Sequence, residues 1–497
     1  MVDARSLLPE RNTHATHQVS SNGEDSEVTQ PTPEEIGTNA RVSTNLLSPT
    51  SVENLPTVDR TSARGNLVSW TMKGGLAVLD QGLVTGSNFV VNILLARWLP
   101  PEAYGAYAVA YAGFLLLVML YQSLFLLPQA VFGAAVYRAS LRGYLKALLR
   151  LHLGASVLMF LVLAASAGVA LKLGQPGGLP GALAGLALAA PCILLFWLAR
   201  RTSYLEFSPA PATGGSLFYC AATLSGLYVA NRLHLLSPMW AFLIMGLGAL
   251  GGSAVLFIYM KLRLPLTLGA PSLQETWRRH WSYGRWTVAS AALNWIPFNI
   301  FYPLLSSFSG MAQAGELKAL MNFCVPVLQG YGALHPLVLP YIVRVHKREG
   351  WAGTRAVTWR ITLLCVSGAL AFWLPLVLFK GTAFRLLYSG RYTEVASLLP
   401  VVALASVSWS AYYGIGAALL AMEYPASVFV ATLVSSCVST MIGIPAAKLL
   451  GVRGAVWAIA LSEMLAMVMA WVLLRRKVRR AADSVPTHAG AVSEPIV

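Results

Sequence analysis

Long apolar runs separated by short polar segments recur along this chain, from about residue 74 to residue 474. A helix needs roughly 20 apolar residues to cross about 30 Å of hydrocarbon, and about twelve stretches reach that length. They cover residues 75–98, 105–130, 151–173, 181–199, 212–231, 239–260, 287–309, 318–343, 361–379, 396–420, 426–449 and 454–474. The pattern predicts an all-α polytopic membrane protein with about twelve transmembrane helices.

Composition and charge support this prediction and exclude other classes. Hydrophobic residues make up 56% of the 497 positions and charged residues only 11%, which leaves a water-soluble fold too little polar surface. The net charge of +16 comes from cations in alternate loops and not from one stripe, so nucleic acid is not expected as a partner. The positive-inside rule places both termini in the cytoplasm.

The polar segments suggest four regions. Residues 1–70 are rich in Ser, Thr and Pro and lack a signal-peptide pattern, which predicts a disordered cytoplasmic tail. The hydrophilic stretch 261–286 divides the spans six and six, as in transporters built from two repeated bundles. We therefore expect one six-helix lobe over 71–271, a second over 272–480, and a cytoplasmic tail over 481–497.

Prolines inside the later spans predict bent helices. Pro297 and Pro303 fall in the seventh span, and Pro445 falls in the eleventh. Each removes a backbone donor and crowds the carbonyl group four residues earlier, so a kink is expected at these positions.

Polar side chains in the first span form a candidate site. Gln81, Asn88 and Asn92 have spacings that place them near one helix face, where they must contact protein or water. Asp80 precedes them, and Glu463 is a second carboxylate in the middle of the last span. Either acid could bind a coupling ion, a proton or Na⁺, or could instead hydrogen-bond a neighbouring helix.

Arginines at the ends of spans are candidates for contact with an anionic group. Arg200 and Arg201 follow the fourth span, and Arg285 precedes the seventh. Arginine binds phosphate in a bidentate manner, but cations at these positions also mark membrane topology. Both interpretations remain open from sequence.

Several motifs are absent from the chain. It has no nucleotide-binding P-loop, no serine nucleophile elbow and no His-Glu-Xaa-Xaa-His sequence, and its five cysteines lack metal-ligand spacing. We therefore expect no enzyme activity, no cofactor, no metal and no ATP-driven pump.

Five segments carry a family resemblance. They are DQGLVTGSNF at 80–89, LLARWL at 94–99, PEAYGAY at 101–107, YGRW at 283–286 and LYSGRY at 387–392. In order and spacing they resemble the polysaccharide-biosynthesis proteins, which are the O-antigen and exopolysaccharide flippases of the multidrug/oligosaccharidyl-lipid/polysaccharide (MOP) exporter superfamily. The resemblance extends over residues 70–475.

The resemblance implies a flippase that moves an undecaprenyl-diphosphate-linked oligosaccharide across the bacterial inner membrane by alternating access. Its partners would be that lipid, membrane lipids and other polysaccharide assembly proteins. From their polarity within apolar spans, we expect Asp80 and the amides of the first span to line one lobe of the cavity, and Asn294, Asn299 and Asn322 the other. Because the spans contain almost no mid-membrane Arg or Lys, the pyrophosphate is expected at the cytoplasmic rim, near Arg285 and the arginines after the fourth span.

Two other functions remain open from sequence. One is a cation-coupled multidrug efflux antiporter of the same superfamily, which the excess of acids over bases within the spans favours. The other is a membrane scaffold for polysaccharide assembly that transports nothing.

Overall fold

The computed structural model describes residues 60–176, 178–205, 208–263 and 271–483, and within these ranges the protein contains helices and no strand. The sixteen α-helices are α1 (Arg60–Trp98), α2 (Pro101–Tyr121), α3 (Leu127–Ala135), α4 (Leu141–Lys172), α5 (Leu179–Leu205), α6 (Pro209–Arg232), α7 (Pro238–Arg263), α8 (Leu273–Asn299), α9 (Phe301–Phe308), α10 (Met311–Asn322), α11 (Val325–Leu378), α12 (Lys380–Tyr388), α13 (Leu399–Ala421), α14 (Pro425–Met441), α15 (Gly443–Leu450) and α16 (Val452–Asp483).

The protein is an all-α polytopic membrane protein, as the sequence predicts. In the described part of the chain, nine helices are long and apolar enough to cross a membrane, and ten if the bent pair α8–α9 is one span. The predicted spans 212–231 and 318–343 do not appear as separate members of that set. Three features therefore stay predictions: the total of twelve spans, the division of the spans into two lobes, and the orientation of the termini.

Helical structure extends into segments predicted as tail or loop. Helix α1 begins at Arg60, inside the predicted N-terminal tail, while residues 1–59 and 484–497 of the predicted tails lie outside the described residues. Helix α11 continues through the predicted loop 344–360. Gly350 interrupts it with a φ of 62° and a ψ of −145°, so two helices meet there without an intervening loop.

Prolines accompany breaks in two spans, at positions where kinks are expected. Helices α8 and α9 meet at an angle of 43° beside Ile300. Pro303 lacks the N–H group that would bond the carbonyl group of Asn299, which explains the break. In the same way, Pro445 follows the break between α14 and α15 at Ile442.

A π-helical turn, Gln122–Leu126, joins α2 to α3. Pro128 has no N–H group to donate to the carbonyl group of Leu124 four residues earlier. His280 of α8 replaces that donor, because its Nδ1 lies 2.8 Å from the Leu124 oxygen. Its Nε2 lies 2.7 Å from the hydroxyl group of Tyr144 on α4. One buried histidine therefore joins α8 to the first half of the chain, which comprises α1 to α7.

Near its N-terminal end, helix α2 also joins the first half of the chain to the second half, which comprises α8 to α16. Within the first half, α5 packs against α4 and α7, and within the second, α13 packs against α11 and α16. Helix α2 contacts α5 and α7 but packs most extensively on α10. Gly105 and Gly315 make this approach possible, because a Cβ on Gly105 would overlap the Met311 carbonyl group and one on Gly315 would lie 2.8 Å from the oxygen of Pro101.

We expect Gly105→Ala to lower the thermal unfolding midpoint of the purified protein in detergent. The added methyl group must push α10 away from α2, and overpacking of this kind costs about 1–3 kcal/mol. Gly113→Ala is the matched control on the same helix, since nothing lies within 4 Å of its Cβ position. Equal midpoints for the two variants would contradict the close α2–α10 junction.

Candidate functional site

A cavity of about 590 Å³ lies between helices of the two halves of the chain. Its wall comes from α1, α2, α5, α6 and α7 on one side and from α8, α9, α10, α11, α13 and α16 on the other. The wall members with a hydroxyl, amide, amine, guanidinium or indole group are Gln81, Thr85, Asn88, Asn92, Tyr111, Trp197, Arg200, Tyr219, Asn294, Asn299, Tyr302, Lys318, Ser406, Gln329 and Trp409. The remaining members are mainly apolar, so the site suits an amphipathic ligand.

The polar face predicted for α1 borders this cavity. Gln81, Thr85, Asn88 and Asn92 all line it, at helical spacings that place them on one side of the helix. Gln81 and Asn92 are eleven positions apart, which corresponds to roughly 16 Å along the helix axis. The polar positions of α1 therefore follow the cavity for half the thickness of a membrane.

Asp80 lies behind this face and does not line the cavity. Its side chain is fully buried and accepts hydrogen bonds from the Nε of Arg200, at 3.0 and 2.8 Å to its two oxygens. The hydroxyl groups of Tyr204 and Ser216 also donate to it. Asp80 is thus a counter-ion that fixes an arginine of α5 against α1, and its oxygens are occupied.

Arg200 continues a chain of hydrogen bonds across the cavity wall. Its Nη2 donates to Gln81 Oε1 at 2.9 Å, and Gln81 Nε2 donates to Thr85 Oγ1 at 3.3 Å. Thr85 Oγ1 then donates to Gln329 Oε1 on α11 at 3.4 Å. The chain connects α5, through α1, to the second half of the protein.

Three cavity asparagines have amide oxygens that can accept hydrogen bonds. Asn92 and Asn294 each donate Nδ2 to the backbone carbonyl group four residues earlier, at 2.7 and 2.8 Å, and Asn299 does the same at 3.2 Å. A carbonyl oxygen can only accept, so this contact fixes the amide orientation. The Oδ1 atoms of these side chains remain for a ligand that carries hydroxyl or amide donors.

Lys318 of α10 brings a buried cation to the same cavity. Its side chain is 8% exposed, and its Nζ lies 4.3 Å from the centroid of the Tyr111 ring. Within the described ranges it forms no ion pair with an acidic residue. When it is protonated, an amine that lies against an aromatic ring, without an acidic partner in the described part of the chain, attracts an anion into the cavity.

Two other predicted site residues lie away from the cavity. Asn322 donates to the hydroxyl groups of Tyr104, at 2.9 Å, and Tyr388, at 3.5 Å, and so joins α10 to α2 and α12. Glu463 is buried against α14, where Ser435 Oγ donates to its Oε1 at 3.1 Å. Ile459, one turn before Glu463, does line the cavity.

Two of the three predicted arginines are also absent from the cavity wall. Arg201 is exposed next to Arg200, and Arg285 is exposed with its guanidinium 5.4 Å from the centroid of the Trp286 ring. The structure therefore brings together Gln81, Asn88, Asn92, Asn294, Asn299 and Arg200 from the predicted set.

Sequence reasoning missed Lys318, and the reason is the helix boundary. The apolar run 318–343 made this lysine the first residue of a span, where cations are common. The structure instead ends α10 at Asn322, so that Lys318 lies in the last two turns of a helix that begins at Met311. The apolar residues at helical spacing in 311–322 were the sequence signal that could have predicted this helix.

Comparisons with known proteins identify the fold. No protein-family model matches the chain, and no curated protein matches it. Among solved structures, an inward-facing MATE-family multidrug resistance transporter of the MOP superfamily is similar, with a TM-score of 0.67 at 12% identity over 82% of this chain and 100% of the other. The lipid II flippase MurJ, in an inward closed conformation, has a TM-score of 0.58 at 14% identity over 82% and 87% of the two chains.

A third similar structure has a related fold. It is a MOP superfamily transporter from Pyrococcus furiosus, with a TM-score of 0.58 at 14% identity over 82% of this chain and 95% of the other. Its description states that reverse polarity of its binding pocket suggests a different function. At these identities the similarity defines the architecture: the protein has the fold of the MOP superfamily transporters.

Proposed function

We propose that the protein is a flippase that moves an undecaprenyl-diphosphate-linked oligosaccharide across the bacterial inner membrane. The observation that carries the proposal is the sign of the charge in the cavity. Lys318 is a buried cation that lines the cavity, while Asp80 and Glu463 do not line it. A cavity of this sign attracts a diphosphate and repels a cationic drug.

The hydrogen-bonding groups of the wall fit the rest of such a lipid. Acceptor oxygens of Asn92, Asn294 and Asn299 match the hydroxyl and amide donors of sugars. Lys318 supplies the donor for phosphate oxygens, which cannot donate in their ionised form. Apolar wall residues, among them Phe89, Met119 and Leu328, complete a site for an amphipathic molecule.

The predicted topology supports a translocation path past these groups. If the cation-rich loops lie in the cytoplasm, as the positive-inside rule predicts, Arg200 is near the cytoplasmic end of its helix and Lys318 is deeper. A diphosphate that enters from the cytoplasm meets Arg200 first and Lys318 next. The pyrophosphate site is then within the cavity as well as at its rim.

The main alternative, a cation-coupled efflux antiporter, requires a carboxylate that can exchange ions next to the substrate. The oxygens of Asp80 already accept bonds from Arg200 and two hydroxyl groups. Glu463 is buried one turn beyond the cavity wall, where it remains the candidate coupling residue for either function. The charge of the wall itself favours the flippase.

The proposal is tested in a strain that lacks the protein. We expect mass spectrometry of extracted lipids to show undecaprenyl-diphosphate-linked repeat units accumulating while surface polysaccharide falls, and the intact gene to reverse both effects. Unchanged lipids together with increased sensitivity to cationic drugs would overturn the proposal in favour of efflux. Complementation by a chain without residues 1–59 separates transport from scaffolding, because a scaffold that acts through its tail should fail.

A further inference from the structure

Trp409 and Ser406 form a small, well-defined part of the cavity wall. Both belong to α13, and their separation of three residues places them on the same helix face. Both line the cavity, with the indole ring half-buried and the serine buried. An aromatic face and a hydroxyl group therefore lie side by side where a ligand would bind.

Two tyrosines support the indole ring from behind. The ring of Tyr331 lies 5.4 Å from that of Trp409, and the ring of Tyr413 lies 6.3 Å from it, centroid to centroid. These tyrosines stack on each other at 4.9 Å, and the Tyr331 hydroxyl group donates to the carbonyl group of Cys365 at 3.0 Å. The aromatic surface is thus held in place before any ligand arrives.

Two buried polar atoms of the cavity wall have no partner among the described residues. They are Ser406 Oγ on α13 and Asn92 Oδ1 on α1. Buried polar groups in proteins are normally hydrogen-bonded, so unpartnered ones that line a cavity indicate a ligand or water that supplies the missing bond. Both atoms can accept a hydrogen bond from a hydroxyl group.

From this arrangement we infer that Trp409 and Ser406 form a sugar subsite, in which a pyranose ring of the lipid-linked substrate lies on the indole face. The C–H face of the sugar contacts the indole, and a ring hydroxyl group donates to Ser406 Oγ. A flat aromatic drug without donor groups could stack on the same indole but would leave Ser406 Oγ and Asn92 Oδ1 without hydrogen bonds. The inference rests on the proposed function and makes Trp409 the residue that favours glycosylated over bare carrier lipid.

Native mass spectrometry of the purified full-length protein tests the subsite. The probe is an equimolar mixture of undecaprenyl diphosphate and its glucosyl, galactosyl and N-acetylglucosaminyl derivatives. We expect the wild-type protein to bind at least one glycosylated lipid more than the bare lipid, by about tenfold, as one aromatic contact and one hydrogen bond allow. Trp409→Leu should abolish this preference, while Trp409→Phe, which keeps a ring, should retain most of it.

Trp457→Leu is the matched control, because Trp457 is exposed on α16 and lies outside the cavity wall. It should leave the preference unchanged, and unfolding midpoints should show that all variants are folded. Binding of all four lipids without preference, or a preference that survives Trp409→Leu, would overturn the sugar subsite while leaving the flippase in place. If none of the lipids binds the wild-type protein, the proposed function fails, and the subsite with it.

Discussion

Replacing Arg200 by glutamine should destabilise the protein by about 3–5 kcal/mol, the usual cost of leaving a buried charge without its partner. Asp80 is fully buried, and Arg200 is the cation that pairs with it, at 2.7 Å between Arg200 Nη2 and Asp80 Oδ2. The hydroxyl groups of Tyr204 and Ser216 would remain as donors but cannot replace a charge. The variant should show a lower unfolding midpoint and a lower level in the membrane.

Two further variants distinguish this charge effect from a loss of packing. Arg201→Gln changes the adjacent, exposed arginine and should leave the unfolding midpoint within the ordinary range of surface substitutions. Combining Arg200→Gln with Asp80→Asn removes both charges, so the double variant should recover much of the lost stability. A double variant no more stable than Arg200→Gln alone would show that the unpaired charge of Asp80 is not the cause of the lost stability.

The polar face of α1 could be predicted from sequence because it depends on spacing within one helix. Gln81, Asn88 and Asn92 occur in an otherwise apolar run, and polar groups in a span must face protein or water. Asn294 and Asn299 were predicted on the same basis, and all five line the cavity. In these cases local periodicity alone determines which way the side chains point.

Contacts between distant segments could not be predicted in this way. Asp80 looked like a candidate ion-binding carboxylate because its partner, Arg200, lies 120 positions further along the chain. Asn322 looked like a wall residue, but the tyrosines that bind it come from α2 and α12. A single sequence contains no direct record of such pairings, so it left open whether Asp80 binds an ion or hydrogen-bonds a neighbouring helix.

Helix boundaries limited the prediction in another way. The hydrophobic run beginning at Lys318 was taken as one span, whereas the structure ends α10 at Asn322 and starts α11 at Val325. Helix α10 begins at Met311, seven residues before the predicted start of the span, and Lys318 is therefore buried within it and not at a membrane boundary. The sequence had suggested an excess of acidic over basic residues within the spans. In the structure, a lysine lies in the cavity wall.

Replacing Lys318 by glutamine should weaken binding of undecaprenyl diphosphate by roughly tenfold to a hundredfold, since a hydrogen bond to a charged group contributes about 1.5–3 kcal/mol. Lys318→Arg, which keeps the charge, should retain most of the binding. Binding of ethidium, a cationic drug, should increase in the glutamine variant because a repulsive charge is lost. Native mass spectrometry of the purified protein with each ligand separately measures both effects.

The same substitution should leave the stability unchanged or raise it. In the described part of the chain Lys318 has no acidic partner, and its main contact is the ring of Tyr111, so its desolvation is poorly compensated in the empty cavity. Lys448→Gln, at an exposed position on α15, is the control and should alter neither binding nor stability. Weaker lipid binding in a more stable protein is the pattern expected of a residue kept for function. Loss of stability in Lys318→Gln without any change in lipid binding would instead show that the lysine has a structural role. The flippase proposal would then lose the charged group on which it depends.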